Sequence, residues 1–219
     1  MTRHGRASSP EDLVLAARRA GVTDDRVLAA IRAIPRAAFV SPAYAWAAYQ
    51  DRPLPLPHGQ VTTQPSLSAM MIAGLGLTGG EQVLEIGTGY GYQAALLSRL
   101  AASVVSIEIW PDIASQARRD LHAQGIRNVR VVAGDGTEGY AARAPYDAVL
   151  VSAAFPDVPP PLAVQLRPGG RLVQPIGPGG QDEVVLFERQ SAGLQRLRLL
   201  TPASFVRLYG RYGFPRAEP

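Results

Sequence analysis

The stretch VLEIGTGYGY, residues 83–92, sets an apolar run and one carboxylate directly before three glycines at every second position. A strand that runs into a glycine-rich turn and then a helix directs backbone N–H groups at a ligand, and the missing Cβ atoms let that ligand come close. In an open parallel sheet such ligands lie beyond the carboxyl ends of the strands. The segment therefore predicts a strand over Gln82–Ile86, a ligand-facing turn at Gly87, Thr88, Gly89 and Gly91, and a helix over Tyr92–Leu100. A dinucleotide fingerprint wants glycine at its first, third and sixth positions. Here the sixth is Tyr92, and a phenol there would obstruct the close approach that a pyrophosphate needs.

Downstream the pattern continues as short apolar runs alternating with helices. SVVSIE (Ser103–Glu108), VRVV (Val129–Val132) and YDAVLVSAA (Tyr146–Ala154) read as strands, and Pro111–Gln124 as a helix with proline at its first position. Strands apolar on both faces imply a parallel sheet covered by helices. GRLVQPIG, EVVLFER and LQRLRLLTPASFVRL are strand-like and separated by glycine-rich turns, which predicts an antiparallel finish. Upstream, residues 1–10 are polar and expected to fray, and helical spacing covers Glu11–Ala20, Asp24–Ile34 and Ser66–Leu75. Between them FVSPAYAWAAYQDRPLPLPHGQVTTQP fits neither period and reads as an ordered loop packed by its aromatics. The expected organisation is a helical and loop region, residues 1–80, on a core of residues 81–219, as one compact unit.

Composition narrows the function. With 219 residues, 47% hydrophobic and 18% charged, the chain can build one sizeable core. It has no apolar run long enough to span a bilayer, and its start lacks a secretory signal, so a cytoplasmic protein with no membrane partner is expected. Zero cysteines and three scattered histidines, His4, His58 and His122, predict no metal centre. The net charge of +4 raises the question of nucleic acid, but all 22 basic residues are arginine and they are spread along the chain. That reads as compositional bias and solvated helix faces, so no nucleic-acid partner is expected.

Three acids at consecutive strand ends sharpen the ligand. The order Glu85-x-Gly87-x-Gly89-x-Gly91 resembles the first motif of Rossmann-type S-adenosylmethionine methyltransferases. Glu108 ends the second strand 21 residues after Gly87, where a carboxylate can accept both hydroxyls of a ribose. Gly134-Asp135-Gly136 follows the third strand and resembles the place where such enzymes hold the adenine amino group with an aspartate. The expected fold is α/β, a Rossmann-like S-adenosylmethionine-dependent methyltransferase with a mostly parallel sheet, antiparallel C-terminal strands and an N-terminal helical appendage.

The acceptor is suggested by a wider resemblance. IPRAAFV (34–40), AYQDRPLPLPHGQVTTQP (48–65), VLEIGTGYGYQAALLSRL (83–100), GDGTEG (134–139), APYDAVLVSAA (144–154), VPPPLAVQLRPGGRLVQPIG (158–177) and FVRLYG (205–210) together resemble the protein-L-isoaspartate (D-aspartate) O-methyltransferases. The resemblance runs from about Val22 to Phe214, and several of these segments have no part in binding the cofactor. It implies S-adenosyl-L-methionine as cofactor and isoaspartyl-containing proteins or peptides as partners. The methyl group would go to the α-carboxyl of L-isoaspartyl residues, and less well to D-aspartyl side chains; the ester then closes to a succinimide, whose hydrolysis returns some normal aspartate. It places Thr63, where serine is usual, beside the acceptor and the donor methyl as the catalytic hydroxyl. His58, Thr62, Ser152, Ala153, Val206 and Leu208 are implied as substrate-binding, with small residues over Ser152–Phe155 letting an extended peptide pair with the backbone; the residue chemistry of His58 favours a loop hydrogen bond over a catalytic base, since none is required. Arg207 stands where the family generally has proline, and is expected to point to solvent. A monomer is expected. Two rival readings are an aspartate O-methyltransferase for a dedicated biosynthetic peptide and a non-catalytic cofactor-binding relative.

The residue chemistry agrees with a carboxylate acceptor. Its oxygen is already ionised at neutral pH, so the site must align it and shed its water rather than supply a base. An amine or hydroxyl acceptor would ask for one.

Overall fold

A computed structural model gives the structure of residues 9–215, so the fraying expected of residues 1–10 falls almost wholly outside the described residues. Two helices, α1 (Pro10–Arg19) and α2 (Asp25–Ala33), precede a long loop and α3 (Pro65–Leu75). Then strand and helix alternate: β1 (Gln82–Ile86), α4 (Tyr92–Ser98), β2 (Ser103–Glu108), α5 (Pro111–Ala123), β3 (Val129–Ala133) and β4 (Tyr146–Val151). The chain closes with α6 (Pro160–Gln165), β5 (Leu166–Ile176), β6 (Asp182–Gln190) and β7 (Gly193–Ala203).

Alternate residues of each inner strand feed two different cores, which is why apolar residues on these strands are not confined to every second position. Val83, Val104, Ala148 and Val173 join a cluster with α1 to α5, reaching from Leu13 to Phe205. Leu84, Val105, Val149 and Leu172 face the other way, onto Leu162, Leu166 and Tyr146. The seven strands run in the order β3-β2-β1-β4-β5-β6-β7, parallel through β5 and antiparallel beyond it. β5, β6 and β7 thus form a plain meander. Strand order reverses between β1 and β4, and a crevice at such a switch is where a ligand can enter.

Three readings need correcting. α6 was not foreseen, because six residues with prolines at the first turn carry too little periodicity. The final strand stops at Ala203, before FVRL. Phe205 N donates to the Asp182 carboxylate, and Val206 and Leu208 leave the sheet to pair with Ala154. The long loop is not held by its aromatics alone: Phe39 is buried, but Trp46 is 64% exposed. Its centre is Arg36, 1% exposed, whose guanidinium donates to the carbonyls of Ala48, Gln50 and Arg52 and to Thr62 Oγ1.

Candidate active site

β1, β2 and β4 all end at one crevice. Its first chamber is walled by the turn after β1 (Gly87, Thr88, Gly89, Tyr90), the end of β2 (Ile107, Glu108, Ile109), Ser152 and Ala153 after β4, and Val206 to Tyr209. Gly87 and Gly89 hold φ of 93° and 54°, a region that costs an L side chain strain. A Cβ on Gly89 would also meet Leu56 at 3.3 Å across the chamber wall. The turn is thus bare where a ligand needs room.

Glu108 is 6% exposed and accepts from the N–H groups of Gly89 (2.9 Å) and Trp110 (3.1 Å). Burial raises its pKa, and those two hydrogen bonds oppose the rise. Each oxygen keeps a lone pair for a further donor, such as a ribose hydroxyl. Beneath the turn, Thr88 Oγ1 lies 2.6 Å from Ser106 Oγ, which in turn donates to Glu85 Oε2. Glu85 is wholly buried, and burial pushes its pKa up to about 8, with the Ser106 bond opposing and the Glu108 charge adding.

A second chamber of about 630 Å³ opens between α1, α3 and the end of β7, lined by Arg19, Pro53, Leu67, Met70 and Phe205 among others. Val61, Thr62, Thr63, Ser152 and Val206 belong to the walls of both chambers. Thr63 and Ser152 therefore stand at a junction. No titratable side chain is among those five shared residues. Ser152 Oγ accepts from Gln93 Nε2 (3.1 Å), and Gln93 Oε1 accepts from Ser68 Oγ (3.0 Å).

The structure brings Thr63, Gly87, Thr88, Gly89, Glu108, Ser152, Ala153, Val206 and Leu208 to the chamber walls. Others it places differently. Glu85 and Gly91 support the turn from behind: Glu85 is beneath it, and a Cβ on Gly91 would press on Leu121 at 3.3 Å. Thr62 lines both chambers, but its hydroxyl accepts from Leu54 N and Arg36, so it braces the loop. His58 lines neither chamber. It stacks on Trp110 with ring centroids 3.9 Å apart and hydrogen-bonds the Asp112 carboxylate, docking the loop tip on α5.

Gly134, Asp135 and Gly136 are also off the first chamber's wall. Asp135 Oδ1 accepts from the N–H and hydroxyl of Thr137, and Oδ2 from Arg211 N at 2.7 Å. Its carboxylate thus ties the C-terminal segment to the end of β3. The free backbone expected over Ser152–Phe155 is partly taken too, since Ala154 pairs through both N–H and carbonyl with Val206 and Leu208. Arg207 is exposed but also lines the first chamber, with Nε donating to Pro178 O and its guanidinium 5.0 Å over the Phe214 ring.

Sequence reading passed over Arg36, Ser68 and Gln93. The signal was present: one amide in the buried run Tyr92–Leu97 must find partners, and so must one arginine in IPRAAFV once buried.

The family model described as protein-L-isoaspartate(D-aspartate) O-methyltransferase matches residues 8–213. The chain belongs to this family. The protein-L-isoaspartate O-methyltransferase of Methanoculleus marisnigri is 48% identical over 197 residues, 90% of this chain and 89% of the relative. That of Anaeromyxobacter dehalogenans is 49% identical over 190 residues, 86% of this chain and 91% of the relative. A solved protein-L-isoaspartate O-methyltransferase superposes with a TM-score of 0.84 at 32% identity, over 93% of this chain and 67% of the other. A Plasmodium falciparum relative, solved in complex with S-adenosyl-L-homocysteine, gives a TM-score of 0.79 over 93% of this chain and 99% of its own. At 18% identity that last likeness speaks for the fold alone.

Proposed function

We propose that this member of the protein-L-isoaspartate (D-aspartate) O-methyltransferases methylates the α-carboxyl of L-isoaspartyl residues, and less readily D-aspartyl side chains, using S-adenosyl-L-methionine. The observation that carries the reading is the junction: Thr63 and Ser152 stand where the two chambers meet, and no side chain shared there can act as a base. Such a site suits an acceptor that is already an anion at neutral pH.

The first chamber fits the cofactor through residues of two kinds. Gly87, Thr88 and Gly89 offer a turn without side-chain bulk, and Glu108 offers two carboxylate oxygens to vicinal hydroxyls. Ile107, Ile109 and Ile113 supply an apolar wall for a flat base. When bound, S-adenosylmethionine supplies a methyl group on a sulfonium, an electrophile that a carboxylate oxygen can attack directly. Thr63 donates its hydroxyl to the acceptor carboxylate and holds it in line. Leu56, Val206 and Leu208 keep water from the junction, which strengthens every polar contact within it. Orientation and exclusion of water do the work, and no proton needs to move.

The carboxylate of Asp135 is engaged by Thr137 and Arg211, so its part in this reading is to hold the wall formed by Leu208 and Tyr209. No helix among the described residues is long and apolar enough to cross a membrane. A cytoplasmic monomer acting without nucleic acid or membrane belongs to the same proposal, and light scattering with cell fractionation tests it.

Incubation with methyl-labelled S-adenosylmethionine and matched isoaspartyl and aspartyl peptides tests the function. Base-labile label on the isoaspartyl peptide alone is expected. Label on neither peptide, with the nucleoside still bound, would remove the repair reading.

A further inference from the structure

Two buried polar groups, Ser68 and Gln93, form a line that ends at the half-buried Ser152 in the junction. Ser68, on α3 and 1% exposed, donates its hydroxyl to Gln93 Oε1 at 3.0 Å. With the amide in that orientation, its Nε2 faces the other way. Gln93, 7% exposed near the start of α4, donates through Nε2 to Ser152 Oγ at 3.1 Å. A hydroxyl that accepts from an amide keeps its own hydrogen to give. Among the described residues, the Ser152 hydroxyl hydrogen has no acceptor, and Ser152 lies on the walls of both chambers.

We propose that Gln93 is a positioning residue that makes the Ser152 hydroxyl an obligate donor at the junction, so that the site reads an acceptor carboxylate in preference to the corresponding neutral amide. The inference rests on the reading of that junction as the acceptor site. Ser152 left to itself could rotate and present either its hydrogen or a lone pair. The Gln93 amide removes that freedom, because two donors cannot face each other without cost. A carboxylate accepts at both oxygens, whereas an amide turned the wrong way presents N–H groups to a donor and leaves both unsatisfied.

The test uses an isoaspartyl peptide as substrate and the same peptide with its α-carboxyl as primary amide for a competitive inhibitor. Wild-type protein is expected to favour the carboxylate peptide. Gln93→Met keeps the length of the side chain and removes the hydrogen bonds. It should raise the peptide KM about fivefold, shrink the carboxylate-to-amide preference by a similar factor, and leave cofactor affinity within about twofold. Gln93→Glu keeps the shape but accepts from Ser152, and should lose more of the preference than Met does. Because Gln93 acts through Ser152, Gln93→Met combined with Ser152→Ala should be no worse than Ser152→Ala alone. Additive losses, or an unchanged carboxylate-to-amide ratio in Gln93→Glu, would overturn the role of Gln93 while the function stands. Wild-type protein that fails to methylate the isoaspartyl peptide would remove both.

Discussion

Arg36 Nη2 donates to Thr62 Oγ1 at 3.2 Å, one residue before the hydroxyl that stands between the two chambers. The same guanidinium holds the carbonyls of Ala48, Gln50 and Arg52, so a single buried cation sets the path of the loop that carries Thr63. Burial lowers its pKa to about 10, which leaves it charged at neutral pH. Arg36→Met would strand the buried Ala48 carbonyl, and those of Gln50 and Arg52 where water cannot replace the donor, at about 1–3 kcal/mol each. The expected result is a lower Tm together with a raised peptide KM. Thermal melts and steady-state kinetics check it, and a variant with a wild-type melt and wild-type KM would show that the loop holds its own shape.

Glu85 makes a prediction about pH. Its folded pKa, raised by burial to about 8, lies above the ordinary carboxylate value. The folded state therefore holds a proton that the unfolded state has released, so stability falls as pH rises between those two values and levels off above the folded one. Glu85→Gln keeps the shape and abolishes the titration. Relative to wild type, the variant should gain stability from pH 5.5 to pH 8.5, at a slope of up to about 1.4 kcal/mol per pH unit. Urea unfolding of both proteins at three pH values measures it. Parallel stability curves would mean that Glu85 is ionised in the folded protein.

Much of the sheet was legible because physics writes it locally. A strand buried on both faces takes apolar side chains on each side, and β1, β2 and β4 do so at most positions, with Glu85, Ser106 and Glu108 the buried polar exceptions. The bare turn at Gly87 and Gly89 was legible for the same reason, since positive φ beside a ligand calls for glycine. What escaped were uses set by partners far away in sequence. Asp135 reads as a ligand-facing acid, and nothing near it in sequence shows that Arg211, 76 residues on, also bonds one of its oxygens. His58 makes the hydrogen bond expected of a loop residue, but its partners, Trp110 and Asp112, lie more than fifty residues away. FVRL has the alternation of a strand, but Ala154 offers a better partner than a continued edge.

Asp135 is thus predicted to act on the C-terminal segment. It holds Arg211 N, and Thr137, which it orients, holds Tyr212 N at 3.1 Å. Asp135→Ala should speed amide exchange at Arg211 and Tyr212 by about tenfold, the loss of one ordinary hydrogen bond. Cofactor affinity should fall only as far as the wall at Leu208 and Tyr209 loosens. Hydrogen exchange read by mass spectrometry, beside calorimetry, separates the two effects. Protected amides with lost affinity would return Asp135 to direct contact with the base.

Thr63 carries the sharpest kinetic expectation. It touches both chambers, is neither strongly buried nor tied to another side chain among the described residues, and sits beside no titratable group at the junction. Thr63→Val replaces the hydroxyl by a methyl group of nearly the same size. A hydrogen bond to a charged acceptor contributes about 1.5–3 kcal/mol, so kcat/KM for an isoaspartyl peptide should fall about tenfold to a hundredfold. Cofactor affinity should stay close to wild type, because the proposed cofactor contacts are made by Glu108 and the glycine turn rather than by Thr63. Thr63→Ser keeps the donor and drops the methyl group that restricts the rotamer, and should retain most of the activity. Kinetics on both variants, with cofactor binding by calorimetry, decide the matter; a kinetically silent Thr63→Val would leave Ser152 as the acceptor's remaining hydroxyl donor.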